Sequence, residues 1–236
     1  MFARQVFKRP SKVEGESPFW ISFSDLMSAL MVLFLVVMAV TLIAVTKNVT
    51  AEEEAKIRRE KEIKGVMALI KKESLKKNVQ VDDVTYKIDL GEVVRFDSGS
   101  YTIKPEAARF LRDYVPVLLD AKNTPEGQKW MRRIVVEGYT DTDGTYLYNL
   151  RLSQDRSRSV VCELFAAPTE GEKPLSQPQL RQIQDLFLVG GYSFNSSVIE
   201  DKAAARVVEL KIEFWGQGEK PQAKNEQLQL KEFGKC

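Results

Sequence analysis

One carboxylate stands alone in an apolar segment of this 236-residue chain. It is Asp25, in Phe19-Trp20-Ile21-Ser22-Phe23-Ser24-Asp25-Leu26-Met27-Ser28-Ala29, which leads into an apolar run ending at Val45. No Lys, Arg, Glu or His shares residues 19–45. An ionisable group is costly in hydrocarbon, so it faces protein or water and marks an ion path. One helix can neither enclose such a path nor supply the carboxylate with partners, so the residue points to an assembly and to ion movement. The plain alternative is a helix cap, since Ser24 and Asp25 precede the run and both residue types cap well. Against it, the segment from Pro18 to Phe23 is itself apolar and can add a further turn and a half of helix. Ser22, Asp25, Ala29, Val32 and Val36 then share one stripe, small and partly polar, suited to packing against partner helices.

A second set lies in Gly138-Tyr139-Thr140-Asp141-Thr142-Asp143-Gly144 and Asn149-Leu150-Arg151-Leu152-Ser153-Gln154-Asp155-Arg156. A strand ends in an acidic turn, an Asn opens a helix, and Ser153 and Arg156 follow within its first turns. A carboxylate facing an arginine can bind a zwitterion. Asp141 takes the ammonium, and Arg156 takes the carboxylate through its two-pronged fork. The residues alone equally allow an acidic turn with Asx hydrogen bonds and a surface Asp–Arg pair of little energetic weight. A calcium reading of Asp141 and Asp143 lacks the closing Glu of the twelve-residue loop.

Composition removes several classes of function. A net charge of +2 is a poor argument for a nucleic-acid partner. The absence of histidine excludes His-based triads and His metal sites. The two cysteines, Cys162 and Cys236, form no CxxC, and no GxxxxGK loop is present. The expectation is a non-enzymatic protein with no cofactor and no metal.

The elements that must position these residues follow from patterning. Leu26–Val45 is 20 residues, about 30 Å as a helix, which matches a bilayer core. Trp20 and Asp25 in the leading region argue against a cleaved signal peptide, so the span reads as an uncleaved anchor. Arg4, Lys8, Arg9 and Lys12 precede it, and Glu52-Glu53-Glu54 follow it closely. The Lys/Arg excess places the N-terminus in the cytoplasm and the rest of the chain outside it. The expected division is a cytoplasmic tail (1–17), a membrane helix (18–46), a charged helical linker (47–81), a folded domain (82–215) and a polar, loose tail (216–236). In the linker, Ile63, Val66, Met67 and Ile70 keep helical spacing. They suit either a solvated helix or a two-stranded coil carrying a dimer.

Within the domain, Tyr86–Leu90, Val93–Phe96, Arg133–Gly138 and Ala205–Phe214 read as strands. Pro105–Leu119, Tyr148–Phe165 and Gln177–Leu188 read as helices, with Pro116 bending or ending the first, and 121–129 as a loop. Strands interleaved with helices give an α+β or α/β sandwich with one helical face. Outside the cytoplasm disulfides persist. Cys236 on its tail can reach Cys162, although a buried free Cys162 or a cross-subunit bond fits the sequence too.

Gly138-Tyr139-Thr140-Asp141 with Asn149, Leu152, Ser153 and Arg156 resembles the OmpA-like peptidoglycan-binding family, whose pattern is G-[HY]-T-D then N-x-x-L-S-x-x-R-A. The resemblance spans roughly 82–215. It implies an OmpA-like α/β sandwich in which Asp141 and Arg156 grip the diaminopimelate of a peptidoglycan stem, with Asn149 and Leu152 shaping the site. Ser157 stands where Ala is usual, and Ala205-Arg206-Val207-Val208-Glu209 where N-R-R-V-E is usual, so Val207 replaces the second Arg. The segment Pro18-Phe19-Trp20-Ile21-Ser22-Phe23-Ser24-Asp25-Leu26-Met27-Ser28 resembles the signature of MotB-type stator subunits. Ser24 and Ser28 stand in for Ala and Thr. That resemblance implies a homodimer inside a pentamer of MotA/ZorA-like A subunits, with Asp25 carrying the proton. Membrane span, short charged linker and wall-binding domain together resemble the ZorB family, the B subunits of the Zorya anti-phage defence motor. The implied setting is a single-pass bacterial inner-membrane protein with a periplasmic C-terminal domain. A flagellar stator has the same architecture with a different output. ExbD/TolR-type energisers share a membrane Asp but lack the wall-binding motif, and a passive membrane-to-wall tether would have no use for Asp25.

Overall fold

The computed structural model describes residues 18–168, 172–195, 201–219 and 232–236. The expected cytoplasmic tail, and 220–231 of the expected polar tail, lie outside the described residues. The chain separates into two compact units, Met1–Ala55 and Lys56–Cys236.

Helix α1, Pro18–Leu75, is the one helix among the described residues long and apolar enough to cross a membrane. Every residue from 22 to 55 is exposed. A helical segment apolar on all sides and covered by none of the described residues suits lipid or partner helices around it. Four hydroxyls of this segment are satisfied within the helix. Ser28, Thr41, Thr46 and Thr50 each donate to a backbone carbonyl three or four residues back, at 2.7–3.1 Å. That removes donors which hydrocarbon could not satisfy.

The second unit takes the end of α1, then β1 (Gln80–Asp82), β2 (Lys87–Asp89), a 3-10 turn (Gly91–Val94), α2 (Pro105–Asn123) and α3 (Pro125–Trp130). It continues with β3 (Met131–Gly138), α4 (Tyr146–Phe165), α5 (Gln177–Leu186), β4 (Phe187–Gly191) and β5 (Val208–Phe214). The sheet order is β1-β2-β5-β3-β4. Among the described strands only β3 and β4 pair in parallel, and α4 and α5 lie in the connection between them. Period-two alternation in β5 sends Val208, Leu210 and Ile212 into the core. Leu111, Val115, Leu118 and Leu119 of α2, Val160 and Leu164 of α4, and Ile183 and Leu186 of α5 meet them there.

The domain boundary differs from the expected one. Ile63, Val66, Met67 and Ile70 are 0–3% exposed and belong to this same core. Burying four such side chains outweighs the solvation of the charged positions around them, about 1.5–3 kcal/mol for each. The stripe is therefore neither a solvated linker nor a coil seam, and the compact unit starts at Lys56 rather than residue 82. Polar contacts hold the same segment. Arg59 donates twice to the Trp215 carbonyl at 2.9 and 2.6 Å, and the Ser74 and Tyr114 hydroxyls are 2.7 Å apart.

Local expectations change in five further places. Val93–Phe96 is not a strand; the 3-10 turn precedes a single bridge between Arg95 and Val207. Helix α2 runs through Pro116 to Asn123, because the buried side chains on both sides of the proline hold it there. The expected loop holds α3, with the Thr124 hydroxyl accepting the Gly127 N–H at 3.0 Å as its cap. The expected 177–188 helix stops at Leu186, and Phe187 begins an edge strand that the apolar run concealed. At the C-terminus, residues 232–236 are held rather than loose. Cys236 forms a disulfide with Cys162, and the Phe233 ring lies 4.9 Å from that of Phe165.

Candidate functional site

In the first unit, Asp25 lies on an exposed face in a shallow groove with Ser28, Ala29, Val32, Leu33, Val36 and Val37. Ala29, Val32 and Val36 are the small residues that the period placed beside it. None of the described residues covers this groove, and its lining residues Ser28, Ala29, Val32, Leu33, Val36 and Val37 are exposed.

In the second unit, the parallel strands β3 and β4 end side by side, Gly138 opposite Gly191, where β5 begins opposite Gly138 at Val208. The loops that follow β3 and β4 and the loop that precedes β5 converge at this edge. In open sheets with helical crossovers, ligands bind outside the carboxyl ends of the parallel strands. Gly138 allows α4 to pack tightly there. A Cβ on it would lie 2.1 Å from the Ser153 carbonyl oxygen and 2.5 Å from Ser157 Oγ. Ser157, at the motif's usual Ala position, donates to the Gly190 carbonyl at 2.7 Å and ties α4 to β4.

Asp141 is 6% exposed. Its Oδ2 accepts from Arg206 Nη1 at 3.0 Å and its Oδ1 from the Asp143 N–H at 3.1 Å. Asn149, also buried, donates from Nδ2 to the Asp143 carbonyl at 2.8 Å and so pins the turn that presents Asp141. Leu152 packs in the same wall, 7% exposed. At the rim, Lys202 Nζ pairs with Asp143 Oδ1 at 2.5 Å.

Arg156 is fully buried. Its Nε donates to the Ser100 carbonyl at 2.9 Å, Nη1 to the Tyr139 carbonyl at 2.8 Å and Nη2 to the Asp97 carbonyl at 3.2 Å. The guanidinium also stacks on Phe96, 5.2 Å from the ring centre. Burial pulls its pKa down to about 10, with Asp141 opposing and Arg206 adding to the fall, so it stays charged at neutral pH. The fold thus brings Asp141, Asn149, Leu152 and Arg156 to one edge. It uses the Arg156 fork on backbone carbonyls and supplies Arg206 as the cation on Asp141. Arg206 also donates from Nε to the Phe96 carbonyl at 3.2 Å, so both arginines clamp the 96–100 segment. The signal for Arg206 was its place just before an alternating strand, in the segment where the usual pattern carries consecutive arginines.

Residues 95–172 match the model of the OmpA family. Among solved structures, the periplasmic domain of Helicobacter pylori MotB is 14% identical with a TM-score of 0.41, covering 59% of this chain and 83% of that one. The cell wall anchor of the T6SS from Pseudomonas aeruginosa is 22% identical with a TM-score of 0.40, covering 63% and 97%. Over most of its length the chain is similar to the Zorya protein ZorB of Escherichia coli O139:H28 (strain E24377A / ETEC). The two are 44% identical over 213 residues, 89% of this chain and 86% of the relative. A second Zorya protein ZorB, from Escherichia coli strain ATCC 8739, is 26% identical over 88% of this chain and 92% of its own length. The chain belongs to the ZorB family.

Proposed function

We propose that the chain is the wall-anchored B subunit of a proton-driven rotary motor in the bacterial inner membrane, serving anti-phage defence of the Zorya type. The observation that carries this reading is the 44% identity to a ZorB protein across both units. It covers a chain with a lone carboxylate in its apolar helix and an Asp–Arg site in its C-terminal domain. The N-terminus lies in the cytoplasm and the domain in the periplasm. Two copies sit inside a ring of five A subunits, and the assembly carries out no covalent chemistry. Asp25 takes a proton from one side of the membrane and releases it to the other, and the change in its charge drives a step of the ring. Torque needs a reaction point. Asp141, Asn149, Leu152, Arg156 and Arg206 supply it by holding the stem peptide of the wall, its ammonium on Asp141 and its carboxylate toward the arginines. The relatives favour defence over motility as the output.

The test is Asp25→Asn in a strain carrying the whole system. Asn keeps the shape at this position, which lies two turns inside α1 rather than at its cap, but it cannot release a proton. Membrane insertion and copurification with the A subunit are expected to stay at wild-type levels while phage protection disappears. Full protection by the Asn variant would show that Asp25 is not the carrier.

A further inference from the structure

Residues 232–236 close a cavity over the junction of α4 and α5. The space is about 790 Å³. Val161 and Phe165 of α4, Ile183 and Gln184 of α5 and Phe187 of β4 line one side, and the five residues line the other. The first side reaches the centre of the domain. Ile183 and Phe187 belong to the core, and Val161 and Phe165 pack against it. A well-packed interior leaves few voids larger than a water molecule, so this segment covers the groove without filling it.

The hold on the segment is mainly covalent. Of its five residues, Phe233 alone is not exposed. The Phe233 ring lies 4.9 Å from that of Phe165, and the Arg181 guanidinium lies 4.3 Å from the Phe233 ring centre. Ordering the backbone of five residues opposes binding more strongly than half-burying one ring favours it. The bond between Cys236 and Cys162 supplies the rest of the hold. Cys236 is exposed and Cys162 is half-buried, so a thiolate arriving from solvent meets the Cys236 sulfur first.

We propose that residues 232–236 are a redox-released strap over the groove between α4 and α5, opened by a protein dithiol of the Cys-x-x-Cys class. One thiolate of the donor attacks Cys236 Sγ. The bond to Cys162 breaks, and Cys162 leaves as a thiolate that takes up a proton. The donor's second thiol then attacks the mixed disulfide, which frees Cys236 as a thiol and leaves the donor oxidised to its own disulfide. Two electrons and two protons pass to this chain in all. The strap then leaves the groove and uncovers Val161, Phe165 and Ile183 beside the start of β4 at Phe187. A disulfide donor of the same class takes the two electrons back and closes the strap. The redox state of one exposed bond thereby sets the surroundings of the helix pair that leads from β3 to β4.

The full-length protein in detergent micelles is treated under native conditions with reduced thioredoxin, then with a polymer-linked maleimide that adds one mass step per free thiol. Without thioredoxin no step is expected. With it, both thiols are expected to react while the near-ultraviolet circular dichroism of the folded domain persists. Cys236→Ser carries Cys162 alone and should react with no reductant present, within roughly tenfold of the rate of the denatured variant, as a thiol under a released segment does. A bridge that thioredoxin reduces only after denaturation overturns the proposal. So does a reduced chain in which Cys236 reacts and Cys162 does not, because the strap then stays on the groove. Loss of the folded-domain spectrum on reduction overturns it too, because the bond is then a staple of the whole fold.

Discussion

Arg206 Nη1 donates to Asp141 Oδ2 at 3.0 Å, so the carboxylate that the motif offers to a ligand already faces a cation of its own chain. The Arg206 side chain is 20% exposed and that of Asp141 8%, so the pair is largely withdrawn from water. A carboxylate has lone pairs for more than one donor. Asp141 can therefore accept from a further donor beside Arg206.

Removing that carboxylate has two consequences. Asp141→Asn keeps the volume but leaves Arg206 and Arg156 without their nearby negative charge. Sedimentation with purified sacculi is expected to fall at least tenfold, since a charge-assisted contact is worth about 1.5–3 kcal/mol. Thermal melting in detergent should drop only modestly. Sedimentation equal to wild type would remove Asp141 from the binding site.

Arg156→Ala is expected to act on the fold before it acts on binding. The guanidinium is buried and satisfies carbonyls of Asp97, Ser100 and Tyr139, three separate points of the backbone. Truncation leaves those acceptors without this donor and opens a cavity beside Phe96, a loss of about 3 kcal/mol. The burial of Arg156 predicts a lower melting temperature alongside any loss of wall binding. An unchanged melting curve would contradict this structural role.

Cys236→Ser releases the C-terminus from α4. The disulfide joins positions 74 residues apart in sequence, and closing a loop of that length stabilises a domain by about 2–4 kcal/mol. Phe233, between Phe165 and the Arg181 guanidinium, should loosen with it. Wild type treated with a dithiol reductant should melt at the temperature of the Ser variant. Alkylation of the denatured, unreduced protein should find no free thiol, and two labelled cysteines per chain would refute the bridge.

Glu62 ties α1 to α3 and gives the fold an acid-sensitive contact. Hydrogen bonds from Lys129 and Trp130 hold its carboxyl below the ordinary 4.5. A depressed acid contributes stability above its unfolded pKa and loses it as pH falls through the folded value. The contribution is therefore complete above about pH 5 and fades below 4.5. The Glu62 side chain is 26% exposed, so the effect is small, about 0.5 kcal/mol. Glu62→Gln should melt about 1–2 °C below wild type at pH 7 and equal to it well below pH 4. A gap that persists in acid would assign the loss to packing rather than charge.

The sequence by itself determined what local period and chemical type can carry. The twenty apolar residues of Leu26–Val45 are long enough as a helix to cross a bilayer whatever the tertiary structure, and Asp25 stands at their leading end. The unbroken spacing from Gly138 to Arg156 located the strand end, the turn and the inward face of α4, because strand and helix periods map position to direction. The tertiary structure decided what depends on neighbours distant in the chain. Ile63, Val66, Met67 and Ile70 show the same helical stripe whether they meet water, a second helix or a domain core, and only the core built by α2 and the sheet identifies their partner. Phe187–Gly191 is apolar in any conformation, and pairing with β3 makes it a strand. Arg156 and Arg206 are both arginines near a site. Burial turns the first onto backbone carbonyls and brings the second, 50 residues later, onto Asp141, because a buried guanidinium must satisfy its donors with whatever acceptors the fold places around it.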